Sequence, residues 1–194
     1  MYKPFNSGQK FRIAPPGSEP IAGRTDIIMS RGAFGSGEHE TTESCLEILE
    51  RLPEVRGARV LDLGSGTGIR AIAALKLGAA HAVCVDIDAQ AVETAQGNCR
   101  LNAVDGRVTH VTGTLAALTA TDFDVILANI YGDILLAVAQ PLALKLKPGG
   151  VLLLSGILWE DNFAVRRAYE QRGCEVRRNY MLPEFSTVLM QKGR

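Results

Sequence analysis

The sequence predicts a doubly wound α/β fold: a mostly parallel sheet of seven strands, an antiparallel closing strand, and helices on both faces. Three observations lead there. Short apolar runs alternate with segments of helical periodicity from Arg59 to Arg172. The first of these runs passes directly into the glycine-rich turn Gly64-Ser65-Gly66-Thr67-Gly68 and then into a helix. The last two strand-like segments are separated only by Pro183-Glu184, too short a link for a crossover, so that junction is antiparallel.

The elements follow in order. Residues 1–37 are rich in Pro and Gly and hold two short apolar pieces, Phe11–Ile13 and Ile27–Met29. They predict a lead-in arm and a glycine-rich loop, with residues 38–194 forming the main domain. From about Glu38 to Leu52, Cys45, Leu46, Ile48, Leu49 and Leu52 fall at helical spacing, and Pro53 stops the helix. Arg59–Leu63 is a strand, and the Ala/Leu-rich helix after the glycine turn runs from Ile69 to Leu77, ended by Gly78. Ala82–Ile87 lacks alternation, as a strand buried on both faces should. Asp88 is a helix N-cap before Ala91, Val92, Ala95 and Cys99. Strands follow at Val108–Thr112 and Phe123–Asn129, then a helix marked by Leu135, Val138, Ala139 and Leu142. Lys145 and Lys147 suit the negative end of that helix. Pro148-Gly149-Gly150 reads as a turn into the strand Val151–Ser155, and a helix covers about Asp161–Arg172. Cys174–Leu182 and Phe185–Gln191 close the chain.

Composition narrows the function. With 194 residues, one domain can bury a sizeable core. Lys+Arg and Asp+Glu balance at 21 each, which argues against a chain whose main task is gripping nucleic-acid backbone. Arg166, Arg167, Arg172, Arg177 and Arg178 cluster, but Glu170 and Glu175 lie among them, so a solvated face is expected. Cys45, Cys84, Cys99 and Cys174 form no CxxC pair, and His39, His81 and His110 have no ligand spacing. Buried thiols, no metal site and a cytoplasmic location are the expectations. No apolar stretch reaches membrane-spanning length.

The chemistry concentrates at strand ends. In an open parallel sheet, ligands bind beyond the strand carboxyl ends where strand order reverses. Gly64, Gly66 and Gly68, with Ser65 between them, let the backbone turn sharply and let a ligand approach. Asp86 ends the next strand, where a carboxylate can accept both ribose hydroxyls of a nucleoside, and Ile87 follows it. Asp88 is explained as a cap; Asp86 is not. Nicotinamide dinucleotides use the same acidic position, but their loop is GxGxxG with an anion cradle, whereas this one is GxGxG. That spacing favours S-adenosylmethionine, which has no phosphate. Asp62, just before the loop, bears indirectly on a cationic amino group. Asn129 ends the strand Phe123–Asn129, where its carbonyl could orient an amine, or where it could simply cap a helix. A lysine amine must be neutral to attack, and a free one has a pKa of about 10.4, so desolvation has to lower it. Ala33–Thr42 is a second glycine-rich turn before a helix, readable as a lid over a ligand or as a helix start. His39 is read as a loop or helix-start residue.

Together AFGSGEHETT (residues 33–42), VLDLGSGTGIRAIAALKLGA (60–79), VDIDAQAVETAQGNCRLN (85–102), Ala128-Asn129-Ile130 and PGGVLLLSGIL (148–158) resemble the PrmA family. That family comprises bacterial methyltransferases that trimethylate lysines and the N-terminal amine of a large-subunit ribosomal protein at the stalk base. The resemblance runs from about Pro15 to the end of the chain. The Gly64–Gly68 motif alone says only class I methyltransferase, whose Rossmann-like plan is the sheet predicted above. The resemblance implies donor contacts from the loop carrying Phe34 and Gly35 and ending in Thr41 and Thr42. It implies further contacts from Asp62, Gly64, Ser65, Gly66, Gly68, Asp86, Ile87 and Asn129. Asn129 matches the asparagine at the methyl-transfer site. The implied cofactor is S-adenosylmethionine, leaving as S-adenosylhomocysteine, and the implied partner is a protein substrate, a ribosomal protein. No direct nucleic-acid or membrane partner is expected, and the chain is expected to be a monomer or homodimer. Two departures stand out. Family members carry an N-terminal capture domain that this sequence does not contain; Met1 gives the expectation that it is naturally absent. Where the family tends to have Ala after NIL, this chain has Asn129-Ile130-Tyr131-Gly132, and Tyr131 would alter the acceptor pocket. Alternatives are a small-molecule or arginine acceptor, a non-catalytic S-adenosylmethionine-binding module, and a dehydrogenase.

Overall fold

The computed structural model describes residues 2–30 and 39–194. The Phe34 and Gly35 positions therefore lie outside the described residues.

The arm forms a small sheet. Strand β1 (Phe5–Ser7) pairs antiparallel with β2 (Phe11–Ala14), which pairs parallel with β3 (Thr25–Ile28). Phe11, Ile13, Ile27 and Met29 are essentially fully buried in the main core, so the arm is packed against the domain. Polar clamps fix it. The Glu50 carboxylate accepts the backbone N–H groups of Gln9 (2.9 Å), Lys10 (2.7 Å) and Phe11 (3.1 Å). Asn102 bonds both the N–H and the C=O of Ile28, and Asn98 accepts from the Ser30 N–H and hydroxyl. These side chains complete backbone bonds that a short edge strand would otherwise leave open.

Helix α1 (Glu40–Leu49) follows, with Glu50 as its C-cap residue. The main sheet then begins: β4 (Arg59–Leu63), α2 (Ile69–Lys76), β5 (His81–Asp86), α3 (Ala89–Leu101), β6 (Val108–Thr112) and β7 (Phe123–Asn129). Next come α4 (Gly132–Ala137), α5 (Ala139–Lys145), β8 (Leu146–Leu158), α6 (Trp159–Glu170), β9 (Cys174–Met181) and β10 (Phe185–Lys192). The strand order is β6-β5-β4-β7-β8-β10-β9, parallel up to β8, with β10 antiparallel to both β8 and β9. The chain winds outward from β4 to β6 and then returns to β7, so order reverses between β4 and β7.

Alternate residues of the central strands feed two separate cores. Val60, Cys84, Val125, Leu127 and Leu153 face the side of α1, α2 and the arm. Leu61, Val83, Ile126, Leu152 and Leu154 face the side that holds Leu135, Leu142 and Tyr169 of α4, α5 and α6. Both faces being covered is why these strands read as unbroken apolar runs. Each fully buried Leu or Ile contributes about 1.5–3 kcal/mol. All four cysteines are free and buried, as expected from their apolar settings. No helix among the described residues is long and apolar enough to cross a membrane.

Two elements differ from expectation. The single helix predicted around Leu135–Leu142 is two, α4 and α5, joined at Val138 (φ −96°, ψ 3°). Pro141 has no N–H to donate to the Ala137 carbonyl, so a continuous helix cannot pass. The Pro148-Gly149-Gly150 turn lies inside β8 as an irregularity: Gly149 takes φ +75°, and the pairing with β7 shifts between Phe123 and Val125.

Candidate functional site

A cavity of about 440 Å³ opens beyond the carboxyl ends of β4, β5 and β7, at the point where strand order reverses. The glycine turn floors it. Gly64 sits at φ +66°, and a Cβ there would overlap the Ile130 side chain. Gly68, at φ +80°, leads into α2 with its Cα against Ala95 of α3, where a Cβ would stand 3.1 Å from the Ala95 methyl. Glycine is thus required twice over, by the left-handed backbone and by the close approach.

Asp86 ends β5 beside this turn. One carboxylate oxygen accepts the Gly66 N–H at 2.7 Å and the other the Asp88 N–H at 3.0 Å. The carboxylate therefore braces the loop, and each oxygen keeps acceptor capacity toward the cavity it lines. Ile87, 75 % exposed, lies at the rim. Asp88 caps α3 through the Gln90 N–H at 2.9 Å, as its position suggested.

Asn129 ends β7 and meets the start of α1. Its Nδ2 donates to the hydroxyls of Thr41 (3.1 Å) and Thr42 (3.5 Å). Thr41 Oγ1 also lies 2.9 Å from His39 Nδ1, which accepts the Thr41 N–H as the α1 N-cap. Because Nδ1 accepts the Thr41 N–H it is the unprotonated ring nitrogen, so the imidazole proton sits on Nε2 and the Thr41 hydroxyl donates to Nδ1. The result is a directed chain from Asn129 through Thr41 to His39. It commits the Asn129 amide nitrogen and leaves its Oδ1 free as an acceptor. Gly156 makes room for that oxygen: at φ +76°, a Cβ there would come within 2.9 Å of Asn129 Oδ1.

Asp62 lies outside the cavity lining. It is fully buried, and Arg70 of α2 reaches it through Nε at 2.9 Å. Burial pushes the Asp62 carboxyl up from its ordinary value, and the Arg70 guanidinium works against that shift. Ser65 is buried at the loop's turn and lines the cavity, as do Gly64, Gly66 and Thr41. Gly68 is set behind, at the start of α2. Sequence reasoning missed Arg70, Gly156 and Phe185, all at the cavity, while Thr42, the last residue of the loop implied by the resemblance, lines it. Arg70 had a readable signal: it is the one charged residue inside the buried run Ile69–Leu75, which demands a partner such as Asp62. Gly156 stood within the SGIL segment, but the need for its missing side chain appears only with Asn129 in place. Among the described residues no group of three or more His, Cys, Asp or Glu could hold a metal.

The strand order, the reversal point and the cavity floor define a class I methyltransferase fold. Comparison with known proteins narrows this. The family model for ribosomal protein L11 methyltransferase (PrmA) matches residues 1–192, and the chain belongs to that family. A ribosomal protein L11 methyltransferase of Pelobacter propionicus is 41 % identical over 198 residues, covering 98 % of this chain and 64 % of the relative. That of Trichlorobacter lovleyi is 44 % identical over 177 residues, covering 87 % of this chain and 58 % of the relative. The chain thus spans about three fifths of the length of the curated relatives it matches. The crystal structure of a ribosomal protein L11 methylase from Lactobacillus delbrueckii subsp. bulgaricus superposes with a TM-score of 0.89 at 26 % identity, over 100 % of this chain and 99 % of that one. An RNA methyltransferase from Salinibacter ruber, solved with S-adenosyl-L-homocysteine, shares the fold at a TM-score of 0.64 and 19 % identity, over 78 % of this chain and 92 % of that one.

Proposed function

We propose that this chain transfers a methyl group from S-adenosylmethionine to a protein amine, a lysine of ribosomal protein L11. Family membership supports the substrate class, and the cavity supports the chemistry. The single observation that carries the reading is Asn129. Its amide nitrogen is held by Thr41 and Thr42, so its carbonyl oxygen is presented to the cavity as an acceptor.

The residues present fit the donor. Gly64 and Gly66, on either side of the small Ser65, give a backbone floor with no side chain of their own to obstruct an amino-acid end. Asp86 offers acceptor capacity for two ribose hydroxyls, and the exposed Ile87 offers an apolar surface for a base. S-adenosylmethionine, when bound, supplies an electrophilic methyl carbon on a sulfonium. Asn129 Oδ1 accepts an N–H of the acceptor amine and holds its nitrogen in one orientation. Thr41 and His39 keep the amide from rotating. Leu63, Ile130, Ile134 and Val138 line the cavity with hydrocarbon, which disfavours the charged ammonium and favours the neutral amine that can react. Orientation and desolvation then supply the rate enhancement. Tyr131, 61 % exposed at the rim, bounds the acceptor side.

The test uses tritiated-methyl S-adenosylmethionine, this chain and purified ribosomal protein L11, with a bacterial lysate as the second acceptor pool. Label in L11 is the expected result. Label confined to small molecules of the lysate would overturn the protein acceptor, and donor binding with no label in either pool would overturn the enzyme.

A further inference from the structure

The donor-facing role of Asp86 accounts for one end of the cavity. The other end holds a group that no step above uses. Arg70 is only 4 % exposed, in the first turn of α2, on a helix otherwise packed with apolar side chains. Burying a guanidinium there is costly unless its N–H groups and its charge are satisfied. Two of its three nitrogens are. Nε donates to Asp62 Oδ1 at 2.9 Å, and Nη2 donates to the Gly64 carbonyl at 2.6 Å and lies 2.8 Å from Asp62 Oδ1. Nη1 donates to nothing among the described residues, yet it is not sealed in protein, and Arg70 lines the cavity. A buried cation with its remaining N–H pair turned to an open cavity is a site for an anion.

Its placement within the cavity points the same way. Its bonds to Asp62 of β4 and to the Gly64 carbonyl hold the guanidinium on the β4 side of the glycine turn. Asp86 grips the glycine turn at the Gly66 N–H, while Arg70 grips it at the Gly64 C=O. The cavity is therefore polarised, with acceptors for hydroxyls at Asp86 on the β5 side and an anion receptor at Arg70 on the β4 side. S-adenosylmethionine carries a ribose diol in its adenosine half and a carboxylate at its amino-acid end.

We propose that Arg70 binds the carboxylate of the donor's amino-acid end through Nη1, and that Asp62 is the positioning residue that holds the guanidinium in place. This rests on the donor being S-adenosylmethionine, as in the function proposed above. Asp62 then acts on the donor only through Arg70, which explains how a carboxylate sealed behind the loop can matter to binding.

The experiment is isothermal titration with two probes, S-adenosylmethionine and decarboxylated S-adenosylmethionine, which keeps the sulfonium and the amine but lacks the carboxylate. The wild-type chain should prefer the intact donor by about 10- to 100-fold, the range of a charge-assisted pair of hydrogen bonds. In the paired variant Asp62→Asn/Arg70→Leu, which removes both buried charges together, that preference should fall to about threefold or less. Affinity for the decarboxylated probe should stay close to wild type. Arg70→Lys, which keeps the charge but loses the fork, should fall between, and it carries the test alone if the paired variant does not fold. An unchanged preference in the variants would overturn the proposal. So would an equal loss for both probes, which would reduce Arg70 to shaping the loop. A wild-type chain that binds neither probe would sink the proposed function itself, an outcome distinct from both.

Discussion

Replacing Asn129 by Ala separates positioning of the acceptor from binding of the donor. The substitution removes the Oδ1 acceptor and frees the hydroxyls of Thr41 and Thr42, which receive Nδ2 at 3.1 and 3.5 Å. A hydrogen bond to a group that gains positive charge as it takes the methyl is worth about 1.5–3 kcal/mol. At about 1.36 kcal/mol per tenfold, methyl transfer should slow by about 10- to 150-fold. Donor affinity should change little, since Asp86 and the glycine turn remain. Stability should fall by about 0.5–1.5 kcal/mol for the lost bond to the buried Thr41 hydroxyl, which keeps His39 as a partner. Asn129→Asp retains an acceptor oxygen and should be less impaired than Asn129→Ala. The assay is single-turnover transfer of labelled methyl to ribosomal protein L11, beside titration of S-adenosylhomocysteine. Wild-type rates in Asn129→Ala, or a loss confined to donor affinity, would refute the assignment of Oδ1 to the acceptor amine.

Asp86→Ala removes the brace on the Gly66 N–H and the acceptor offered to the cavity, so titration should show donor affinity weakened by about 1–3 kcal/mol; unchanged affinity would remove Asp86 from the donor site. Gly64→Ala forces a side chain into φ +66° against Ile130, and thermal melts should show a loss of about 1–3 kcal/mol together with weakened donor binding. Glu50→Ala strips the acceptor from three arm N–H groups, that of Phe11 buried, and urea unfolding should show a loss of about 2–4 kcal/mol, with Glu50→Gln recovering part. Burial pushes the Cys45 thiol up to about 11 and the Cys99 thiol up to about 12. A raised thiol pKa keeps the neutral, unreactive form, so the native chain at pH 8 should show almost no reaction with a thiol-exchange reagent and full reaction of four thiols once unfolded.

The periodic parts of the fold were legible because burial on both faces writes itself into sequence. Arg59–Leu63 and Phe123–Asn129 begin and end where their apolar runs do. Asp88 was legible as a cap because the cap is a local interaction, two residues long. The break at Val138 was also local, and Pro141 announced it; the apolar spacing of Leu135, Val138, Ala139 and Leu142 reads through it as one helix because the stripe continues while the backbone does not. The third strand of the arm, β1, has no apolar pattern of its own and exists because Gly8 turns tightly at φ +61° beside the Glu50 carboxylate. That contact joins residues forty apart and leaves no trace in either stretch alone. The same holds at the site. Gly64, Asp86 and Asn129 could be placed from strand ends and topology. The bond from Asn129 to Thr41 spans 88 residues, and the roles of Thr42 and Gly156 emerge only from it.

Helix α1 connects these long-range features. Its first turn presents Thr41 and Thr42 to Asn129, and His39 caps it. Its C-cap residue, Glu50, holds the arm through Gln9, Lys10 and Phe11. Between the two ends, Cys45, Leu46 and Leu49 are buried against the same core as Phe11, Ile13 and Ile72. The arm and the Asn129 amide are therefore held by opposite ends of one helix. The arm is thus fastened to the helix whose first turn holds the Asn129 amide, although the described arm residues do not line the cavity.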